Sequence, residues 1–120
     1  MHELSVAENI LDIVRQHVSE SDLALLKAVR LRVGSQAGIV VDSLRFSWEA
    51  ITIDTPVAGA MLEIEIIPFT LRCRSCGRTT EPDQGIIVCG GCGSIDTEIT
   101  GGTELKVTEL ELADSPGEAP

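Results

Sequence analysis

The first part of the chain carries the periodicity of an amphipathic helix. Apolar residues recur there at steps of three and four: Val6 or Ala7, Ile10, Leu11, Val14 and Val18. Such spacing places side chains on one face of a helix. Ser5 and Glu8 have the separation of a capping box. The pattern therefore predicts a helix from about Ser5 to His17, with residues 1–4 just before it.

A second helix is predicted in the middle of the chain. Its apolar stripe consists of Leu44, Trp48 and Ile51, and Asp42 is placed to cap its first turn. Pro56 then breaks the pattern, because proline cannot continue a helix.

Three other segments alternate between apolar and polar residues, as half-buried strands do. They are residues 29–33, which end at Gly34, residues 62–66, which end before Pro68, and a last segment from about Glu104 to Leu112. In the last segment the apolar positions change face between Val107 and Leu110. This change indicates a bulge or a twist.

The order of elements predicts an α+β fold. Two amphipathic helices can cover one face of a small sheet, and the segment that carries all four cysteines interrupts the sheet. We predict one domain from residues 1–68 plus 103–112, an inserted zinc-ribbon-like module at residues 69–102, and a disordered tail at residues 113–120. Gly101-Gly102 is expected to form a flexible return from the module.

The charge balance limits the class of partner. The 120 residues include 9 basic and 19 acidic side chains, a formal net charge of -10. Such a surface repels phosphate backbones, so nucleic acid is not an expected partner.

The sequence also predicts a cytoplasmic location. No run of about 18 apolar residues is present that could span a membrane. The first twenty residues carry Glu3, Glu8 and Asp12, without the basic start and apolar stretch of a signal peptide. In a reducing compartment, four cysteines indicate metal binding rather than disulfides.

The cysteines form two pairs, Cys73 with Cys76 and Cys89 with Cys92, separated by twelve residues. Each pair can bind one side of a tetrahedral Zn(II), and four thiolates leave no open position, so the predicted site is structural. A glycine follows each pair. A positive φ there would let its N–H face a thiolate.

The charge of such a site needs compensation. The nearby arginines, Arg72, Arg74 and Arg78, could offset part of the negative charge of four thiolates and one Zn(II). Iron is the main competitor at a four-thiolate site, and free buried thiols or a redox-active dithiol are the alternatives without metal.

The N-terminus offers a second set of metal ligands. The amine of Met1 and the backbone and imidazole nitrogens of His2 can close consecutive chelate rings of the kind that suit Ni(II) or Cu(II). Glu3 can add its backbone nitrogen or a carboxylate oxygen. From spacing alone, a solvated histidine is the commoner outcome, so the residues leave both interpretations open. His17 is expected to be a polar edge residue only.

Two motifs resemble those of the HypA/HybF family of hydrogenase maturation factors. They are the opening Met1-His2-Glu3-Leu4-Ser5 and the cysteine module, with Cys73-Arg74-Ser75-Cys76-Gly77 followed by Cys89-Gly90-Gly91-Cys92-Gly93. The similarity covers about residues 1–112. The chain departs from the family at Val6, where a larger apolar residue is common, and at Gly90-Gly91, where proline is common.

The resemblance implies a nickel metallochaperone without catalytic activity. It implies that Met1, His2 and Glu3 hold nickel, that Cys73, Cys76, Cys89 and Cys92 hold zinc, and that a three-stranded sheet and two helices form the nickel domain. The implied partners are the companion GTPase HypB and the large subunit of a [NiFe] hydrogenase. Some relatives also serve urease.

Two other classes of protein fit parts of the pattern. A zinc-ribbon adaptor would bind another protein without a nickel site, and a thiol oxidoreductase would use the cysteines directly. An enzyme with its own substrate is not predicted, because the chain has no glycine-rich phosphate loop and no evident nucleophile with a base.

Overall fold

The elements alternate between helix and strand before the cysteines and form short strands around them. The computed structural model describes residues 3–114, apart from the side chain of Gln84. In chain order the elements are α1 (Glu3–His17), β1 (Leu26–Gly34), α2 (Val41–Thr52), β2 (Met61–Ile67), β3 (Thr70–Cys73), β4 (Thr79–Thr80), β5 (Thr97–Gly101) and β6 (Leu105–Leu112). Short 3-10 helices occupy Glu20–Leu25 and Asp83–Gly85. The predicted α+β class is confirmed.

The strands form two small sheets. One has the order β2-β1-β6 and the other the order β4-β3-β5. β1 is the central strand of the first sheet and the most buried. Its buried residues include Leu26, Ala28, Val29, Leu31 and Val33. In β6, burial changes phase between Val107 and Leu110, as the alternating pattern predicts.

The chain divides into two compact units. The first contains residues 3–31, 39–64 and 107–114, and the second contains Arg32–Gly38 and Glu65–Lys106. None of the helices in residues 3–114 is long and apolar enough to cross a membrane.

The core of the first unit joins the apolar faces of the two helices, which pack against each other. Its buried residues include Val6, Ala7, Ile10, Leu11 and Val14 of α1, and Leu44 and Trp48 of α2. The indole Nε1 of Trp48 donates a hydrogen bond to the carbonyl oxygen of Ala60 at 3.1 Å. The one tryptophan therefore buries its ring without leaving its N–H unpaired.

The predicted start of α1 is wrong by two residues. The helix begins at Glu3, so Ser5 lies inside its first turn and cannot be its N-cap. A carboxylate in the first turn interacts favourably with the positive end of the helix dipole. The Glu3 carboxylate has a further role, since its Oε2 accepts a hydrogen bond from the backbone N–H of Val40 at 3.0 Å.

The predicted cap of α2 is also wrong. Val40 is the N-cap residue, and Asp42 lies in the first turn without a capping role. Because the N–H of Val40 is bonded to Glu3, the start of α2 is tied to α1 rather than capped by its own side chain. At the other end, Thr52 is buried in place of Ile51, and its hydroxyl donates to the carbonyl oxygen of Trp48 at 2.7 Å.

Gly101-Gly102 does not form the loose return that was expected. Gly102 is buried with a φ of +100°, and a Cβ on it would lie 2.2 Å from the Cα of Phe69. Its carbonyl oxygen accepts a hydrogen bond from the backbone N–H of Gln36 at 2.8 Å. The glycine is required by close backbone packing, and the turn is fixed at this point.

Arg30 of β1 joins all three strands of the first sheet. Its Nε donates to Glu63 of β2 at 2.9 Å, its Nη1 donates to Glu109 of β6 at 2.6 Å, and its Nη2 is bonded to Glu111. Glu111 contributes most to raising the pKa of Arg30, and Arg30 in turn lowers the pKa of Glu111. The guanidinium therefore allows three carboxylates to share one face of the sheet.

We predict that Arg30→Met lowers the free energy of unfolding of the first unit at neutral pH, because three carboxylates lose their common partner. The pKa of Glu111 is lowered in the folded chain. Its contribution is therefore present at neutral pH and is lost as pH falls through that lowered pKa. The difference between wild type and variant should shrink between about pH 7 and about pH 3.

Urea unfolding followed by the fluorescence of Trp48, which is buried in the first unit, measures this difference. Lys106→Met removes the same charge from an exposed site on β6 and serves as the control. An Arg30→Met effect no larger than that of Lys106→Met would contradict the prediction.

Candidate metal centre

Four sulfur atoms meet in the second unit. Cys73 ends β3, Cys76 lies in the turn after it, and Cys89 and Cys92 lie in the loop before β5. All four Sγ atoms lie within 4.8 Å of one another. The Cys73–Cys92 and Cys76–Cys89 sulfur distances are 3.6 Å and 3.7 Å.

These distances fit one tetrahedral metal ion. Bonds of about 2.3 Å from Zn(II) to sulfur give a tetrahedron with edges of about 3.8 Å. A disulfide would bring two sulfurs to about 2.05 Å, and all four cysteines are free. The chemistry of the donor set therefore suits a soft or borderline cation such as Zn(II).

The two cysteine pairs have matching turns. Gly77 and Gly93 have φ values of +78° and +76°, as predicted for the glycine after each pair. Their N–H groups, however, do not face a thiolate. They donate to the carbonyl oxygens of Cys73 and Cys89, each at 2.9 Å, because the turn closes back on the backbone of the first cysteine.

Other backbone groups face the sulfurs. The N–H of Cys76 donates to the Sγ of Cys73 at 3.4 Å, and the N–H of Gly91 donates to the Sγ of Cys89 at 3.3 Å. The hydroxyl oxygens of Ser75 and Ser94 lie 3.1 Å apart and connect the two turns. Amide donors of this kind stabilise negative charge on sulfur.

The thiols influence one another strongly. The backbone N–H of Cys76 does most to lower the pKa of Cys73 to about 6, and the N–H of Cys92 does most to lower the pKa of Cys89. The N–H of Ser94 lowers the pKa of Cys92, but the neighbouring sulfurs, first that of Cys73, and burial outweigh it and raise that pKa to about 11. The cluster therefore favours the thiolate form of Cys73 and Cys89 and opposes that of Cys92. A bound cation would offset the repulsion among four thiolates.

Two of the three arginines expected to offset this charge are paired elsewhere. Arg72 lies 3.3 Å from a carboxylate oxygen of Glu98, and Arg74 lies 3.3 Å from one of Asp96. Arg78 lies against the second turn, since a Cβ added to Gly91 would be 2.6 Å from its Nη1. Arg78 thus lies beside the turn that contains Cys89 and Cys92.

Of the three predicted nickel-binding residues, only Glu3 lies within the described part of the chain. Met1 and His2 lie outside the described residues, and Glu3 is half-buried at the start of α1. His17 is exposed at the end of α1. Within residues 3–114, the four cysteines are the one group of three or more potential ligand side chains gathered closely enough for a metal ion.

Two contacts of the first unit, those of Arg30 and Glu3, have little signal in the amino-acid sequence. The strand that contains Arg30 has no acidic residue. Its contact with carboxylates of β2 and β6 depends on the strand order β2-β1-β6. The hydrogen bond from Val40 to Glu3 joins residues 37 positions apart. In the cysteine module, by contrast, the serines that connect the turns lie within two residues of Cys76 and Cys92.

We predict that Gly93→Ala weakens metal binding by the four cysteines. A φ of +76° costs a residue with a Cβ about 1–2 kcal/mol, which corresponds to roughly 5- to 30-fold in affinity, although nothing lies within 4 Å of the added atom. Gly90→Ala is the matched control, because its Cβ also meets nothing within 4 Å and its φ is not positive. Competition with a chelator measures both, and equal affinities for the two variants would contradict the prediction.

Comparison with known proteins identifies similar chains. A family model described as "Hydrogenase/urease nickel incorporation, metallochaperone, hypA" matches residues 1–112. A hydrogenase maturation factor HypA from Syntrophus aciditrophicus is 35% identical over 113 residues, which cover 93% of this chain and 99% of the relative. The HypA of Chloroflexus aggregans is 40% identical over 112 residues, covering 92% of this chain and 98% of the relative.

Two solved structures share the fold. The solution structure of the Ni metallochaperone HypA from Helicobacter pylori matches with a TM-score of 0.65 and 23% identity, covering 96% of this chain and 100% of that one. A second solution structure of a HypA protein matches with a TM-score of 0.69 and 22% identity, covering 96% of this chain and 98% of that one.

Proposed function

Because this chain belongs to the HypA family of hydrogenase and urease nickel-incorporation metallochaperones, we propose that it carries Ni(II) as cargo on Met1, His2 and Glu3. It delivers this nickel during the maturation of a [NiFe] hydrogenase and catalyses no reaction of its own. The observation that carries the proposal is the extent of the family match. It runs from residue 1 to residue 112 and so includes both the opening motif and the cysteine module.

The ligand chemistry of the chain end suits a carrier. The Met1 amine and the nitrogens of His2 provide the nitrogen-rich coordination that Ni(II) favours. The amine and the imidazole have reference pKa values of about 7.7–8.0 and about 6.5, and both must lose a proton to bind. Acidification therefore favours release. The hydrogen bond from Val40 to the Glu3 carboxylate fixes the residue next to His2.

The cysteines hold a structural Zn(II). Four thiolates complete a tetrahedral shell and leave no position for a substrate. The sulfur distances of 3.6 Å and 3.7 Å support this assignment. So does the weak apolar core around them, because Ile86, Ile87 and Val88 are exposed by 54%, 53% and 38%. Zinc must then supply much of the energy that folds the module.

The two metals are assigned to different parts of the chain. We assign nickel binding to a domain of residues 1–68 and 103–112 and zinc binding to residues 69–102. This assignment follows the metal ligands, whereas the compact units place residues 32–38, 65–68 and 103–106 with the cysteines. The expected partners are a HypB-type GTPase and the large subunit of a [NiFe] hydrogenase, with urease maturation factors as further candidates. The expected location is the cytoplasm.

A zinc-ribbon adaptor without a nickel site is the second candidate function. The exposed aliphatic residues of the module favour it, because apolar side chains in solvent are typical of protein interaction surfaces.

We predict that the untagged chain binds one Ni(II) and that His2→Ala abolishes this binding while zinc content stays unchanged. His17→Ala is the matched control, since His17 is exposed at the other end of α1. Calorimetric titration measures both variants. An adaptor without a nickel site would take up no nickel in any form of the chain.

The same titration tests the role of the Met1 amine. Residues added before Met1 convert the amine to an amide, so an uncleaved tag should weaken nickel binding. Affinity should also fall as pH is lowered from about 8 to about 6, because protons compete for the amine and imidazole. A binding constant that stays flat over this range would contradict the proposed ligands.

We predict one zinc per purified chain and loss of the module's fold when a strong chelator removes it. Cys76→Ser should lower zinc affinity by removing one of four thiolates. Metal analysis with proton NMR of the module measures both effects, and Thr79→Ala, at an exposed position of β4 in the same module, is the control. A metal-free chain in which residues 69–102 keep a cooperative fold would contradict a structural zinc site.

A further inference from the structure

One aromatic side chain is exposed although the other two are buried. The chain has two phenylalanines, one tryptophan and no tyrosine. Trp48 and Phe69 are 2% and 6% exposed, whereas Phe46 is 71% exposed. Aromatic residues supply much of the binding energy at protein interfaces, so Phe46 on α2 is the one aromatic side chain within residues 3–114 that is available for such a contact.

Phe46 lies on one wall of a groove between the beginnings of α1 and α2. The groove is open to solvent, has a volume of about 450 Å³ and is lined by Glu3, Leu4, Asp42, Ser43, Phe46 and Ser47. Leu4 is 50% exposed. Asp42 and Phe46 are four residues apart, as are Ser43 and Ser47, so each pair lies on the same face of α2.

The groove begins at the proposed nickel site. Glu3 lines it and is covalently joined to His2. The hydrogen bond from Val40 to Glu3 holds this end of α1 against the start of α2. A protein that takes nickel directly from the chain end must bring its own ligands to the metal held there. Its surface must therefore meet the surface next to Glu3.

The charge of the groove restricts the kind of surface that can bind there. Its two charged lining residues, Glu3 and Asp42, are both acidic, and its apolar residues are Leu4 and Phe46. A complementary surface has an apolar side chain beside a lysine or arginine. A second copy of this chain would place like charges together in a protein of net charge -10, which is unfavourable.

We propose that this groove is the docking site for the nickel-accepting protein, which inserts an apolar side chain between Leu4 and Phe46 and places a basic residue beside Glu3 and Asp42. The inference rests on the proposed nickel-carrier function. It adds the surface through which the cargo is handed over.

Phe46→Ser tests the apolar part of the site. Ile53→Ser is the matched control, because Ile53 is 67% exposed directly after α2 and does not line the groove. The probe is a purified, nickel-free large subunit of a [NiFe] hydrogenase. We expect Phe46→Ser to weaken its binding to the nickel-loaded chain at least tenfold and to slow nickel transfer, with the nickel affinity of the variant within twofold of wild type.

Asp42→Lys tests the charged part. It should weaken binding of the large subunit, and added salt should weaken the wild-type interaction more than that of Asp42→Lys, because salt screens attraction between opposite charges.

The outcomes separate the two levels of the proposal. Absence of nickel binding by wild type refutes the carrier function itself. The docking inference is overturned if wild type binds nickel but not the large subunit, or if Phe46→Ser and Ile53→Ser behave alike. It is also overturned if light scattering shows that Phe46→Ser changes self-association while binding of the large subunit is unaffected. That result would assign the groove to a second copy.

Discussion

The approach of four sulfur atoms to within 4.8 Å of one another organises the second unit. Thiols at this distance oppose each other's ionisation, and a divalent cation removes that opposition by accepting all four as ligands. The turns on either side are built for this arrangement, with glycines of positive φ after each pair and backbone N–H groups facing the sulfurs of Cys73 and Cys89. The aliphatic residues between the pairs remain exposed, so a metal ion bound by the four sulfurs would replace the apolar core that the segment lacks.

The two proposed metal sites have opposite physical requirements. A structural ion needs a complete shell and slow exchange, which four thiolates on fixed turns provide. A cargo ion needs ligands that can be exchanged for those of an acceptor, which the proposed ligands Met1, His2 and Glu3 at the chain end would provide. The structure places Glu3 where the two helices of the first unit meet, through its bond to Val40. The beginning of α1 is therefore held in place beside the groove that contains Phe46.

The sequence predicted best those features that depend on regular spacing. The helical stripe from Val6 to Val14, the alternation in β1 and the paired cysteines each reflect a period that the folded chain must obey. It predicted poorly what depends on contacts between distant segments. Asp42 and Ser5 have the side chains of helix caps, but α1 begins at Glu3 and α2 at Val41, where Glu3 accepts a hydrogen bond from the distant Val40. Gly102 is typical of a loose turn, yet it is fixed by contact with Phe69.

The central claim is that one chain holds two metals on two chemically different sets of ligands. X-ray absorption at the zinc and nickel edges of the untagged chain, loaded with one equivalent of each metal, tests it most directly. The account predicts four sulfur neighbours at about 2.3 Å around zinc and only nitrogen and oxygen neighbours around nickel. Sulfur bound to nickel, or zinc with an incomplete sulfur shell, would contradict it.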